Sequence, residues 1–351
     1  MLVWALLLAL LLMPAAFAAP VSYAPVRPGV PLVFPRDFGA HPDFRTEWWY
    51  VTGWLKTADG KPLGFQVTFF RTATTHDRAD PSAFAPTQLV IAHAALSDPA
   101  LGHLLHDQRS ARAVLGLAYA RAGDTDVRLD DWTMRRRPDG TYAVQVQARD
   151  FRFDLTLTPT QAPLRQGEAG FSKKGPRPEQ ASYYYSEPQL RVSGQSSRGA
   201  VTGSAWLDHE WSTQYLDPQA QGWDWIGANL DDGSALMAFQ IRDRQGGKLW
   251  AHATLRDASG KVTQFAPGQV RFEPLARWRS PRTQATYPVA MRLETGATAW
   301  RVVPLQQDQE LDSRLSTGAV YWEGAVTLER DGKPSGQGYL ELTGYVAPLK
   351  M

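Results

Sequence analysis

The chain has 351 residues, 43% of them apolar and 21% charged, the composition of a folded protein of about two domains and not of a disordered or low-complexity scaffold. A formal net charge of +2 leaves no large basic surface to hold a phosphate backbone, so no nucleic-acid partner is expected. The absence of cysteine excludes disulfides, thiolate metal sites, a cysteine nucleophile and a lipid-modified N-terminal cysteine.

Residues 1–19 carry no charged side chain and run through a leucine-rich stretch to Pro14 and the small-residue pattern Ala16-Phe17-Ala18. This predicts a signal peptide with an A-x-A cleavage site, although the usual basic residues at its start are missing. The apolar run is shorter than the ~20 residues of a spanning helix, and no later stretch is apolar enough to span. The expectation is an extracytoplasmic, periplasmic protein without an integral span after cleavage; the alternative is an uncleaved anchor.

Past Pro35 the chain reads as short runs of period two, separated by Gly, Asp-Gly and Pro turns. Gly64 to Phe70, Tyr142 to Ala148 and Phe151 to Leu157 each place apolar residues on one face of a strand. The predicted class is all-β. The chain also matches itself: Trp49 to Gly53 and Phe65-Gln66-Val67 recur 174 residues later as Trp223 to Gly227 and Phe239-Gln240-Ile241. Ala92-His93-Ala94 finds Ala251-His252-Ala253, which places extra residues of the first copy in the Thr72 to Pro86 loop. The reading is a signal peptide over 1–19 and two antiparallel β-barrels related by internal duplication, over 30–217 and 218–351. Closure removes exposed sheet edges and is preferred to an open sandwich, and an eight-stranded barrel can enclose one small apolar ligand.

Seven of the thirteen tryptophans fall in two windows. The first holds Trp48, Trp49 and Trp54 beside Glu47; the second holds Trp206, Trp211, Trp223 and Trp225 with Asp208, His209, Glu210 and Asp224. In an up-and-down barrel the first and last strands pair, so Glu47 to Tyr50 is expected beside Trp206 to Trp211. Alternation sets Trp206, Asp208 and Glu210 on one face and Leu207, His209 and Trp211 on the other. The corresponding run in the second unit, Gly338 to Tyr345, lacks the acidic and histidine cluster. A special role for the first copy is therefore expected, against the alternative that the indoles plug a barrel or fill the domain seam. His93 and His252, present in both copies, read as packing residues. No H-E-x-x-H, G-x-S-x-G, phosphate loop or dinucleotide fingerprint occurs, so neither a metal nor a cofactor is expected.

The runs His41 to Tyr50, Gly203 to Trp211, Gly222-Trp223-Asp224-Trp225 and Gly338 to Tyr345 resemble the AttH-like and carotenoid 1,2-hydratase family, in the right order and over nearly the whole chain after the leader. The resemblance implies tandem lipocalin-like barrels, an ABC-type export system as partner and, in some members, addition of water to an isolated alkene of an acyclic carotenoid. It implies a catalytic role for the His-x-Trp pair His209 and Trp211. The Tyr-x-Asp pair of the hydratases has no match in 236–241. Two functions follow. The first is an exported carrier of an apolar, isoprenoid or lipid-like ligand held by Trp48, Trp49, Trp206, Trp211, Trp223, Trp225 and Asp224. The alternative is a hydro-lyase in which Asp208 or Glu210 donates a proton, His209 orients water and Glu47 is a second carboxylate.

Overall fold

The computed structural model describes residues 21–349 apart from 79, 81, 83 and 115, so the 1–19 leader lies outside the described residues. Among the described residues the regular elements are strands and two short 3-10 turns, Arg36–Phe38 and Pro267–Gln269. The first sheet comprises β1 Thr46–Thr57, β2 Pro62–Ala73, β3 Gln88–Ser97, β4 Leu104–Arg112, β5 Ala118–Ala120, β6 Asp126–Leu129, β7 Trp132–Arg136, β8 Tyr142–Gln147, β9 Arg152–Thr158, β10 Leu164–Arg165, β11 Phe171–Lys173, β12 Ala181–Ser196 and β13 Gly199–Ser212. The second comprises β14 Ala220–Leu230, β15 Ala235–Asp243, β16 Lys248–Arg256, β17 Val262–Phe265, β18 Val270–Arg279, β19 Thr286–Thr295, β20 Thr298–Pro304, β21 Glu310–Ser313, β22 Ala319–Arg330 and β23 Lys333–Leu342.

In both sheets the first strand pairs antiparallel with the last, β1 with β13 and β14 with β23, and the order outward from that pair is the same. The first sheet runs β4-β3-β2-β1-β13-β12-β9-β8-β7-β6-β5. Its two edges approach by packing of β3 and β4 against β5 and β6, without a hydrogen-bonded ladder between them. The barrel expected from the sequence is thus a near-barrel. The reason is local: β5 and β6 have three and four residues, too few to extend a ladder along the nine residues of β4.

Burial follows position in the sheet. On β8 and β9, whose outer face meets solvent, buried residues alternate with more exposed ones. On β1, β14, β15 and the Ala205–Ser212 half of β13 nearly every residue is buried, because one face fills the strand's own barrel and the other lies against the other domain. The first core is filled by Trp49, Phe65, Trp132, Tyr142, Phe153 and Trp211. The second is filled by Tyr287, Trp300, Trp322 and aliphatic neighbours. The seam is a third apolar cluster, with Tyr50, Trp54, Tyr184, Trp206, Trp225 and Tyr339. Each such ring removes roughly 150–250 Å² from water, so burial dominates the cohesion of the two domains. Hydrogen bonds fix their register: Trp54 Nε1 donates to Gly338 O at 2.9 Å and Asn229 Nδ2 to Ala205 O at 3.0 Å. Gly64 permits the approach of β2 to β22, since a Cβ there would stand 2.5 Å from Ala325 Cβ.

Candidate functional site

Strand β13 carries two different constellations on its two faces. Its register with β1 sets Glu47 opposite Trp211, Trp49 opposite His209 and Tyr50 opposite Asp208, so the two tryptophan windows do lie side by side. Alternation then divides them. Glu47, Trp49, His209 and Trp211 point into the first barrel, while Trp48, Trp206, Asp208 and Glu210 point to the seam.

The inward group is a closed network. Glu47 Oε1 lies 2.7 Å from His41 Nδ1 and 2.8 Å from His209 Nε2, and Oε2 accepts from Arg71 Nε at 2.7 Å. Arg71 also donates through Nη2 to the carbonyls of His41 and Phe44, both at 2.9 Å. Burial works against a charged Glu47, but the charges of His41 and Arg71 overcome it and hold the carboxyl well below its ordinary range. Burial likewise opposes protonation of His41, yet Glu47 and Asp37 raise its pKa, and both ring nitrogens serve as donors. His209 is different: burial lowers it to about 4. It is neutral, gives its Nε2 proton to Glu47 and takes the Tyr185 hydroxyl on Nδ1 at 3.0 Å. The His41 ring stacks on Trp211 at 3.7 Å. Ligating atoms of His41, Glu47 and His209 lie within 4.8 Å of one another. A divalent cation among them would have to strip the proton from His41 Nδ1 and sit beside the Arg71 guanidinium. The donor set is that of a salt-bridged plug at the barrel's end.

The outward group faces a cleft between the domains. Its inner chamber, about 70 Å³, is lined by Trp48, Tyr215, Trp223, Trp225 and by the carboxyls of Asp208, Glu210 and Glu341. It shares Phe70, Tyr215, Trp223, Tyr321 and Glu341 with an outer chamber of about 800 Å³. Glu210 is neutralised: Lys174 Nζ lies 2.8 Å away, Ser182 Oγ donates to it, and the ammonium sits 4.4 Å above the Phe239 ring. Asp208 has no cation. Its Oδ1 accepts from Ser186 Oγ at 2.5 Å and Trp206 Nε1 at 2.6 Å, its Oδ2 from Tyr184 OH at 2.6 Å, and burial pushes it up to about 7.

The second domain contributes two more acids. Glu323 and Glu341 stand opposite one another on β22 and β23, and Trp225 flanks Glu341 on β14. Burial and the proximity of Glu341 raise Glu323 well above the carboxylate range; burial raises Glu341 too, with Asp208 and Glu210 adding to it. Glu341 is partly exposed to the cleft. Its Oε2 accepts from Trp223 Nε1 at 2.9 Å, and among the described residues nothing donates to its Oε1. Among the described residues the seam therefore sets the four carboxyls Asp208, Glu210, Glu323 and Glu341 against the ammonium of Lys174, which pairs with Glu210, and burial pushes the other three towards the protonated form.

The residues singled out from the sequence are thus split among three places. Trp48, Asp208, Glu210, Trp223 and Trp225 meet at the cleft. Trp206 is buried in the seam as a donor to Asp208. Glu47, Trp49, His209 and Trp211 belong to the inward plug. Asp224 faces away from the cleft, where it accepts from Arg242 Nε at 3.0 Å and Tyr345 OH at 2.9 Å. His93, read as packing, links the domains: its Nδ1 lies 2.7 Å from Tyr321 OH and its Nε2 2.9 Å from Ser316 Oγ. Glu323, Glu341, Lys174 and Tyr184 were not singled out. A signal existed for the two glutamates, since Tyr321-Trp322-Glu323 and Tyr339-Leu340-Glu341 repeat a Tyr-x-Glu pattern.

A crystal structure described as an AttH of Nitrosomonas europaea is 64% identical, with a TM-score of 0.88 over 92% of this chain and 99% of that one. Kievitone hydratase of Nectria haematococca superposes over 93% of this chain and 98% of its own with a TM-score of 0.68; at 14% identity this is a likeness of fold. The acyclic carotenoid 1,2-hydratase of Rubrivivax gelatinosus is 30% identical over 101 residues, which are 28% of this chain and only 24% of that protein's length. The AttH-like family model matches residues 25–345, and the chain belongs to the AttH-like family.

Proposed function

We propose that the cleft between the two barrels binds an apolar ligand bearing an alkene and hydrates it by acid catalysis, with Glu341 as the proton donor. The observation that carries this reading is a carboxyl held protonated by burial, with one oxygen unengaged, beside indole rings in a two-chambered cleft. A general acid works best with a pKa near the working pH. Protonated Glu341 gives its proton to the less substituted alkene carbon, and the π pair forms the new C–H bond. The cation left on the other carbon faces Trp48 and Trp223, whose electron-rich faces attract positive charge. A water in the inner chamber forms the C–O bond, and the proton it releases returns to the Glu341 carboxylate, so the protein ends as it began. Of the two donors that the sequence offers, Asp208 already has both oxygens engaged by Ser186, Trp206 and Tyr184, and Glu210 is paired with Lys174.

Unchanged carriage of the same ligand is the second reading, favoured by the saturation of Asp208 and by the closed plug around His209. Incubation with alkene-bearing isoprenoids in ¹⁸O-labelled water, followed by mass spectrometry, separates the two. Labelled alcohol from the parent protein and none from Glu341→Gln supports hydration. Ligand recovered unlabelled from both contradicts it and leaves carriage. Export rests on residues 1–19 and service to an ABC-type system on the family resemblance; N-terminal sequencing of the mature protein from the periplasm tests the first.

A further inference from the structure

The outer chamber is not uniformly apolar. Its walls are Phe70, Leu89, Ile91, Leu216, Ala319 and Leu349, but Arg45 and Arg244 also line it. Arg45 precedes β1 in the first domain and Arg244 sits in the β15–β16 turn of the second. Both are exposed, and among the described residues neither side chain meets a carboxylate. This sets them apart from the arginines that do pair nearby: Arg71 with Glu47, Arg78 with Asp43, Arg177 with Asp217 and Arg242 with Asp224. Asp217, the acidic residue of the outer wall apart from Glu341, is taken by Arg177 and by Gln180 Nε2 at 2.7 Å. The floor holds the Glu210–Lys174 ion pair beside Asp208 and Glu341, two acids raised by burial, whereas the outer chamber carries two guanidiniums that meet no carboxylate among the described residues.

From this polarity we infer that the ligand is an anionic amphiphile: a carboxylate or phosphate head held by Arg45 and Arg244, an apolar body in the outer chamber, and its alkene end in the inner one. The inference rests on the cleft reading above and names its substrate class. The volumes agree with the division of labour. About 800 Å³ is the size of site that encloses a medium-sized organic ligand, whereas about 70 Å³ admits only a small alkene end together with a water. A head fixed by two guanidiniums also sets the direction of insertion, since a planar fork recognises carboxylate or phosphate oxygens and repels a cation.

Titration calorimetry with dodecanoate, dodecyl phosphate, dodecanol and dodecyltrimethylammonium, each below its micellar concentration, tests this on the full chain. Both anions should bind about tenfold or more tightly than dodecanol, and the better of the two identifies the head group. The double variant Arg45→Gln with Arg244→Gln should erase that preference and leave dodecanol affinity unchanged. Glu341→Gln should keep the preference, so failure of the acid and failure of the head-group site register separately. Equal affinity for alcohol and anions, retention of the preference in the double variant, or no binding of any probe would overturn the inference.

Discussion

The two faces of the β1–β13 pair live under opposite electrostatic rules. On the inner face, Glu47 meets Arg71 and His41, every lone pair has a donor, and burial is compensated by charge. On the outer face Asp208 meets hydroxyls and an indole but no cation, and burial decides its state. The difference teaches that a buried acid is not by itself a sign of chemistry. What matters is whether its proton is committed: the plug commits charge to structure, whereas the seam leaves carboxyls protonated beside a cleft.

The largest effect should come from the seam, in turnover. Glu341→Gln removes the donor but keeps shape and polarity, so rate should fall by about 10²- to 10⁴-fold with the fold intact by circular dichroism. Retained turnover would remove the acid from the account. The plug should instead answer in stability. Glu47→Gln strands Arg71 without a counter-charge, and a loss of about 3–5 kcal/mol is expected in denaturant unfolding. A change below ~1 kcal/mol would erase the distinction between the faces.

Titration sharpens the contrast, because the two carboxyls have opposite signs. Glu47 is held low in the folded state, so its contribution is present above the ordinary carboxylate range and lost on acidification. Asp208 is raised from 3.8 to about 7, so its contribution is full below about 4 and lost as pH climbs towards 7. Unfolding followed from about pH 2 to 8 should show Glu47→Gln falling behind the parent as pH rises to about 5 and keeping that distance above it, and Asp208→Asn gaining on the parent by a few kcal/mol between about pH 4 and 7. Parallel curves would contradict both assignments. The smallest effect is expected of Trp223→Phe, which removes the one donor to Glu341. The alkaline limb of the rate profile should move up by about one pH unit; an unmoved limb would show that another group sets it.

Much of this was legible in the chain. The period of two in Tyr142 to Ala148 and Phe151 to Leu157 gave β8 and β9, and pairing of first with last strands brought Glu47 beside Trp211. Alternation along Trp206 to Trp211 separated His209 from Asp208. The continuous apolar character of Trp48 to Leu55 carried a further meaning that periodicity alone does not resolve: both faces of β1 are buried, the outer one by a second domain. Glu341 was harder to find because its strand partner in the first unit reads as the richer cluster, and its environment is assembled by docking of the two sheets. Lys174 reaches the seam from β11 and the loop after it, where nothing in the local pattern marks it as buried.

Infrared spectroscopy of the carboxyl carbonyl stretch tests the central claim most directly. At about pH 6 the parent protein should show the band of protonated, buried carboxylic acid, weakened separately by Asp208→Asn and by Glu341→Gln, and fading above about pH 8. A spectrum with fully ionised carboxylates at about pH 6, or a band indifferent to both substitutions, would contradict it.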